Sequence, residues 1–153
     1  MIQAKERPSF LVEPAAQEQA EIKKPPHQNA VNVKAPYPVS ANKIWRRAGN
    51  KTILSDEARM WKELVQSQLK RAGMRPFLGS VGVNITIHPK LTRTGQKSSR
   101  LIDLDNGNKL ALDSLQGAAF KNDNQIVRLS SQYGQPIDGG GMQIYVYEVE
   151  DLI

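Results

Sequence analysis

The chain contains no cysteine. Disulfides, thiolate zinc sites and cysteine nucleophiles are therefore excluded, and the composition fits a reducing cytoplasm. Histidine is almost as scarce. There are two, neither in a zinc-ligand or triad spacing, so zinc hydrolase and Ser/His/Asp chemistry fall away as well. No apolar run approaches the roughly 18 residues of a spanning helix, and no membrane association is expected. No apolar segment follows Lys5, Glu6 and Arg7, so no signal peptide is expected either. Internal repeats are absent.

What is present is one modest core and an uneven charge. The 153 residues are 39% hydrophobic and carry a net charge of +6, which suits one domain with an extension. Residues 1–30 balance Glu6, Glu13, Glu18 and Glu21 against Lys5, Arg7, Lys23 and Lys24. The whole positive excess therefore lies in residues 31–153. Pro8, Pro14, Pro25 and Pro26 break up the first 30 residues, which are rich in Gln, Glu and Ala. They bury too little apolar surface to offset their ordering entropy. They read as a disordered tail, with a short helix at 15–22 or an arm that orders on a partner as the alternatives. Residues 31–153 read as the folded domain.

Within that domain the expected elements are a small α/β set. Val31 to Ala35 alternates as a half-buried strand, ended by Pro36 and Pro38. Ser40 to Arg47 reads as a polar loop, with Lys51 to Leu54 as a short return strand. Trp45 is expected as a core anchor, against a second reading in which Asn42, Arg46 and Arg47 meet a phosphate backbone. Ser55 caps a scaffold helix whose apolar face is Trp61, Leu64, Val65 and Leu69, stopped by Gly73. Val81 to His88 alternates over eight residues and is the clearest strand; His88 at its end reads as structural. A loop with Lys90, Arg93, Lys97 and Arg100 follows, read either as a mobile connection or as a phosphate guide. Asn106 to Gln116 has helix period, and Gln125 to Ser130 and Met142 to Val149 read as strands. The fold class is thus α/β: a small mixed sheet of about four to five strands with two main helices.

The chemistry concentrates at Asp103-Leu-Asp-Asn-Gly-Asn-Lys109, with Asp113 and Asp123 beyond. Asp105, Lys109 and Asp113 are spaced i, i+4, i+8 and form one stripe of a helix. Asp103 precedes the helix in extended chain, on the same side as Asp105. Asp123, in the turn after the helix, is expected to fold back beside them. Three crowded carboxylates repel and raise one another's pKa unless a cation joins them. Carboxylate oxygens are the ligands that Mg²⁺ prefers, and Lys109 would then steady charge on a phosphate. A surface salt-bridge ladder stands level with this reading on spacing alone. An EF-hand loop fails, because its Gly and Glu positions hold Asn108 and Ser114.

Asp103-Leu-Asp-Asn-x-x-Lys109, Leu112-Asp-Ser-Leu-x-Gly117 and Asn122-Asp-Asn-Gln-Ile126 together resemble the RusA-type Holliday junction resolvases, crossover junction endodeoxyribonucleases common in phages and prophages. Pro36-Tyr-Pro-x-Ser-x-Asn42 matches that family's opening segment, and the resemblance covers about residues 31–150. It implies a RusA-like homodimer that nicks four-way DNA junctions symmetrically in recombination and repair. It implies Mg²⁺, with Mn²⁺ as a substitute. It maps the catalytic, metal-binding aspartates onto Asp103, Asp105 and Asp123, and the required lysine onto Lys109. Asn106, Asp113 and Asn122 support them. Asn42, Arg46, Arg47, Lys90, Arg93, Lys97, Arg100 and Arg128 are the candidate DNA contacts. The family usually has an Asp-Asp pair where this chain has Asn122-Asp123. That missing charge keeps a second reading open, a DNA-binding module whose chemistry has decayed. Residues 1–30 lie outside the resemblance.

Overall fold

The computed structural model describes residues 29–150. The tail assigned to residues 1–30 lies almost wholly outside these. The elements in order are β1 (Ala30–Ala35), α1 (Ala41–Ile44), β2 (Trp45–Ala48), β3 (Lys51–Leu54), α2 (Asp56–Arg71), β4 (Val81–His88), α3 (Leu104–Leu115), a 3₁₀ turn (Asp123–Gln125), β5 (Ile126–Tyr133) and β6 (Gly141–Glu148). Strands β1-β6-β4-β5, in that order, form one sheet, and β2-β3 form a separate hairpin. The expected mixed sheet is present: β4 pairs with β5 in parallel, while β1–β6 and β4–β6 are antiparallel.

Alternation along the strands decides which face is covered. Side chains in register share a face. Val33, Ile144, Ile85 and Ser131 make one row across the sheet, and Ala35, Met142, Ile87 and Tyr133 the next. Val33, Ile85, Ile87, Met142 and Ile144 are buried under the helices. On the opposite face stand Asn32 and Asn84, both exposed. Helix α2 lays Ala58, Trp61, Val65 and Leu69 into this core. Each such large side chain contributes about 1.5–3 kcal/mol by leaving water. The Ser55 hydroxyl caps the helix by accepting from the Ala58 amide at 3.2 Å, and the Trp61 indole donates to the Pro36 carbonyl at 2.9 Å. Leu64 turns outward instead.

Three local readings are corrected. Ser40–Arg47 is not a loop but a helical turn running into β2. Trp45 is not a core anchor: it is 49% exposed, because the β2–β3 hairpin stands apart from the main sheet. The segment after His88 is not a free connection. Backbone bonds from Thr92 to Gln96 (2.6 Å), Ser98 to Lys90 (2.8 Å) and Leu91 to Ile137 (3.1 Å) hold it folded. His88 is structural, its Nδ1 donating to the Gln135 carbonyl at 2.8 Å.

Gly107 explains how α3 reaches the sheet so closely. A Cβ there would stand 2.6 Å from the Ile87 Cδ1 and 3.4 Å from the Met142 Cε. The helix weakness that this glycine brings is thus the condition for close helix–strand approach. The contact seats the first turn of α3 over the carboxyl ends of β4 and β5.

Candidate active site

The acidic cluster begins at the tip of α3. Asp103 is the N-cap, with extended dihedrals (φ −62, ψ 144), and its carboxylate makes no cap hydrogen bond. Aspartate is among the best N-caps, so both of its oxygens are left for another partner. Asp105 follows in the first turn, exposed, and Asn106 beside it is half-buried. Lys109 and Asp113 continue the stripe, both exposed.

The salt-bridge ladder along this stripe does not form. Among the described residues the one ion pair within 4.0 Å is Arg59–Asp56. Asp105, Lys109 and Asp113 are therefore available to a ligand. Lys109 and Asp113 also line an open groove of about 520 Å³ with Ile44, Trp45 and Lys62. The exposed Asn42, Arg46 and Arg47 belong to the helical turn and hairpin that border this groove.

Two tyrosines hold the approach to Asp103. The Ile102 amide donates to the Tyr37 hydroxyl at 2.9 Å. The Tyr133 hydroxyl donates to the Ile102 carbonyl at 2.8 Å. Both polar groups of one residue are thereby fixed, one residue before the first aspartate. The basic loop closes over the same pair. Lys90 Nζ lies 5.0 Å from the Tyr37 ring centre and Lys97 Nζ 5.9 Å from that of Tyr133, both within cation–π range. Arg93 and Arg100 are exposed on that loop. Partial burial raises the Tyr133 pKa, and Asp103, Tyr37 and Asp105 add to the rise. The Ser131 hydroxyl donates to the Asn108 Oδ1 at 2.6 Å and ties α3 to β5.

Asp123 does not join this end. It opens the 3₁₀ turn immediately before β5, whereas Asp103 lies by Tyr133 at the far end of that strand. An eight-residue strand spans about 23 Å. The cause is topological. In a β4–α3–β5 unit the helix runs back along the sheet, so its two ends lie at opposite ends of the strands. The expectation that Asp123 folds back beside Asp103 and Asp105 is corrected on this ground. Among the described residues no group of three or more His, Asp and Glu side chains is close enough to share a metal ion. Arg128 also sits toward the Asp123 end, in register with Gly82.

The turn that carries Asp123 is nonetheless built with care. The Asn122 side chain accepts from the Asn124 amide at 3.3 Å in a capping box. The Gln125 Oε1 accepts from the Lys121 and Asn122 amides, both at 3.0 Å. Its Nε2 donates to the carbonyls of Phe77 (2.7 Å) and Gly79 (2.9 Å). Gln125 thus uses its full polar capacity to fasten the turn. Sequence reading passed over Tyr37, Tyr133 and Gln125 as functional positions. Tyr37 and Gln125 stand inside the quoted motifs; Tyr133 carried no signal in the chain.

The free carboxylates at a helix tip, the neighbouring lysine and the basic loop define a site suited to a cation and a phosphate. Comparison with known proteins agrees with that class. The family model for endodeoxyribonuclease RusA matches residues 36–146. The chain is also 31% identical over 118 residues to the crossover junction endodeoxyribonuclease rusA of Enterobacteria phage HK97, covering 76% of this chain and 93% of that relative. The chain belongs to the RusA family of endodeoxyribonucleases. It is an endonuclease by class, and among the described residues no helix is long and apolar enough to cross a membrane.

Proposed function

We propose that the protein is a divalent-metal-dependent endodeoxyribonuclease that resolves four-way DNA junctions by paired nicks, as a homodimer. The observation that carries this reading is the pair Asp103 and Asp105, exposed and, among the described residues, without an ion pair, beside a loop of cations that make none either. The donor set fits Mg²⁺. That ion takes one or two carboxylates, keeps several waters and accepts substrate phosphate oxygens; Mn²⁺ takes similar ligands. When bound, it supplies a water of lowered pKa and positive charge toward the phosphate.

The chain's own residues do the rest. Asp103 and Asp105 hold the cation, and the Tyr37–Ile102–Tyr133 clamp sets their direction. Lys109, one turn beyond Asp105, places an ammonium where charge develops on the phosphate. Lys90, Arg93, Lys97 and Arg100 hold one stretch of backbone near the aspartates. Asn42, Arg46 and Arg47 hold another along the groove. These contacts position DNA without reading bases.

The test is a labelled four-way junction with Mg²⁺, set beside flap, duplex and single-stranded substrates. Paired cuts in the junction, lost in Asp105→Asn with binding retained, support the reading. An intact junction bound by wild-type protein sinks it. A binding-only module is favoured by one observation, the distance of Asp123 from the other two aspartates. It predicts no cleavage to lose in that same assay.

A further inference from the structure

The β2–β3 hairpin carries charge of one sign and an aromatic ring that the core does not use. Residues 40–55 contain Lys43, Arg46, Arg47 and Lys51 and no acidic residue, and all four cations are exposed. Trp45 opens β2 with 49% of its surface exposed. The pairing register sets its direction. Trp45 stands opposite Leu54, and Arg47 opposite Thr52, so these four side chains share one face of the hairpin. Trp45 and Leu54 line the groove beside α3, and Arg47 continues the same face toward the hairpin tip.

The lining of that groove divides by chemistry. Ile44 and Leu110 are buried and Leu54 is half-buried, so the floor is apolar. Lys62 of α2 and Lys109 and Asp113 of α3 stand at the rim. The volume of about 520 Å³ lies within the range of about 300–1,000 Å³ that small-molecule sites occupy. Lys109 belongs both to the groove and to the aspartate stripe, one turn beyond Asp105, or about 6 Å along the helix axis. A strand whose phosphate meets Asp105 and Lys109 is thereby led to the mouth of the groove.

We infer that this groove takes one unpaired nucleobase of the DNA, stacked on the Trp45 ring, and that this stacking selects branched over fully paired DNA. The inference rests on the nuclease reading above and names the feature of the substrate that the same site reads. An apolar floor and an indole face suit the flat, weakly hydrated face of a base. The cations at the rim and along the hairpin suit the phosphates on either side of it. An aromatic platform in a basic groove is the way single strands are held without regard to sequence. Asp113 and Gln116 at the rim offer an acceptor and an amide to the edge of the base. An apolar peptide fits the floor but not the row of cations. In a duplex each base face is covered by its neighbours, so filling the groove costs unpairing and unstacking. A branch point supplies a base at lower cost.

The first measurement needs no cleavage. Trp61 is 3% exposed, so quenching of tryptophan emission by DNA reports on Trp45. Asp105→Asn protein is titrated to saturation, judged by anisotropy, with a short oligothymidine, an abasic strand of the same length and a paired duplex. The oligothymidine should quench; the abasic strand, which keeps the phosphates and lacks the bases, and the duplex should leave emission nearly unchanged. Equal quenching by either of these, or none by the oligothymidine, overturns the inference. So does quenching that survives in Trp45→Phe, since it then comes from Trp61. The second measurement is selectivity. Trp45→Ala should weaken junction binding about 10-fold or more and leave duplex affinity within about 2-fold, while Trp45→Phe, which still stacks, keeps most of the junction affinity. Unchanged junction binding in a folded Trp45→Ala overturns the inference, as does an equal loss on both DNAs or an equal loss in both variants. Should Trp45→Ala fail to fold, the quenching series decides alone. Wild-type protein that cleaves no junction ends the nuclease reading, while quenching still reports whether a base enters the groove. Cleavage of junctions without base-dependent quenching ends only this inference.

Discussion

The hydroxyl of Tyr133 donates a 2.8 Å hydrogen bond to the carbonyl of Ile102, the residue that leads into Asp103. Together with Tyr37 on the Ile102 amide, it aims the first aspartate without touching it. Tyr133→Phe keeps the ring beneath Lys97 and removes only this bond. The expected cost is about 1 kcal/mol of stability. The larger effect falls on turnover, because a small misplacement near the chemistry is costly: kcat drops about 10-fold with KM for the junction nearly unchanged. Steady-state cleavage by Tyr133→Phe and Tyr37→Phe checks this. A change confined to KM would mean that the tyrosines act on DNA directly.

The same hydroxyl sets an alkaline limit. Burial, then Asp103, Tyr37 and Asp105, hold its pKa above the ordinary value of 10.0. The fold therefore favours the protonated phenol. That contribution is complete below the unfolded pKa of about 10 and is lost as pH rises through the higher folded value. Thermal stability of wild type followed from about pH 8 upward should show an alkaline loss. Tyr133→Phe should lose less over the same range. Identical curves would show that the hydroxyl carries none of the alkaline loss.

Asp103 and Asp105 are exposed and, among the described residues, have no counter-ion within 4.0 Å. Asp103→Asn and Asp105→Asn should each lower cleavage at least about 100-fold, with junction binding retained. Melting temperature should hold or rise, because one of two neighbouring negative charges is gone. Chelation of divalent cations should stop cleavage while far-UV circular dichroism stays unchanged, since no aspartate of the cluster lies in the core. Unfolding on chelation would mark the metal as structural instead.

Gln125 makes four hydrogen bonds to main chain. Gln125→Ala leaves the 121–125 turn unfastened from the 77–79 segment. A loss of about 1–3 kcal/mol is expected, with a fall in cleavage beyond what the lost stability explains. Chemical denaturation and cleavage of the same preparation separate the two effects. Asn122→Asp keeps the cap, so stability should stay within about 0.5 kcal/mol of wild type.

Gly107 faces Ile87 across a gap with no room for a side chain. Gly107→Val should cost about 1–3 kcal/mol by overpacking, although valine has the better helix propensity. The damage should reach the site as well, because this contact seats the tip of α3. A stabilised variant would show that α3 can move off the sheet.

Local pattern carried much of this protein. The alternation of Val81 to His88, the cap at Ser55 and the i, i+4, i+8 stripe from Asp105 are short-range features, and each is found where the chain places it. The extended conformation of Asp103 before its helix was legible for the same reason. What the chain did not disclose depends on distant partners. Ile102 meets Tyr133 across 31 residues and Tyr37 across 65, and Gln125 meets Phe77 across 48. Nothing in a linear window marks such bonds. Trp45 is exposed because, among the described residues, its hairpin forms a separate two-stranded sheet, a decision of sheet order rather than residue type. Asp123 shows the division most plainly. Its motif declared a carboxylate, but tertiary structure decided its place: a helix that returns along two parallel strands must part its own two ends by the length of the sheet.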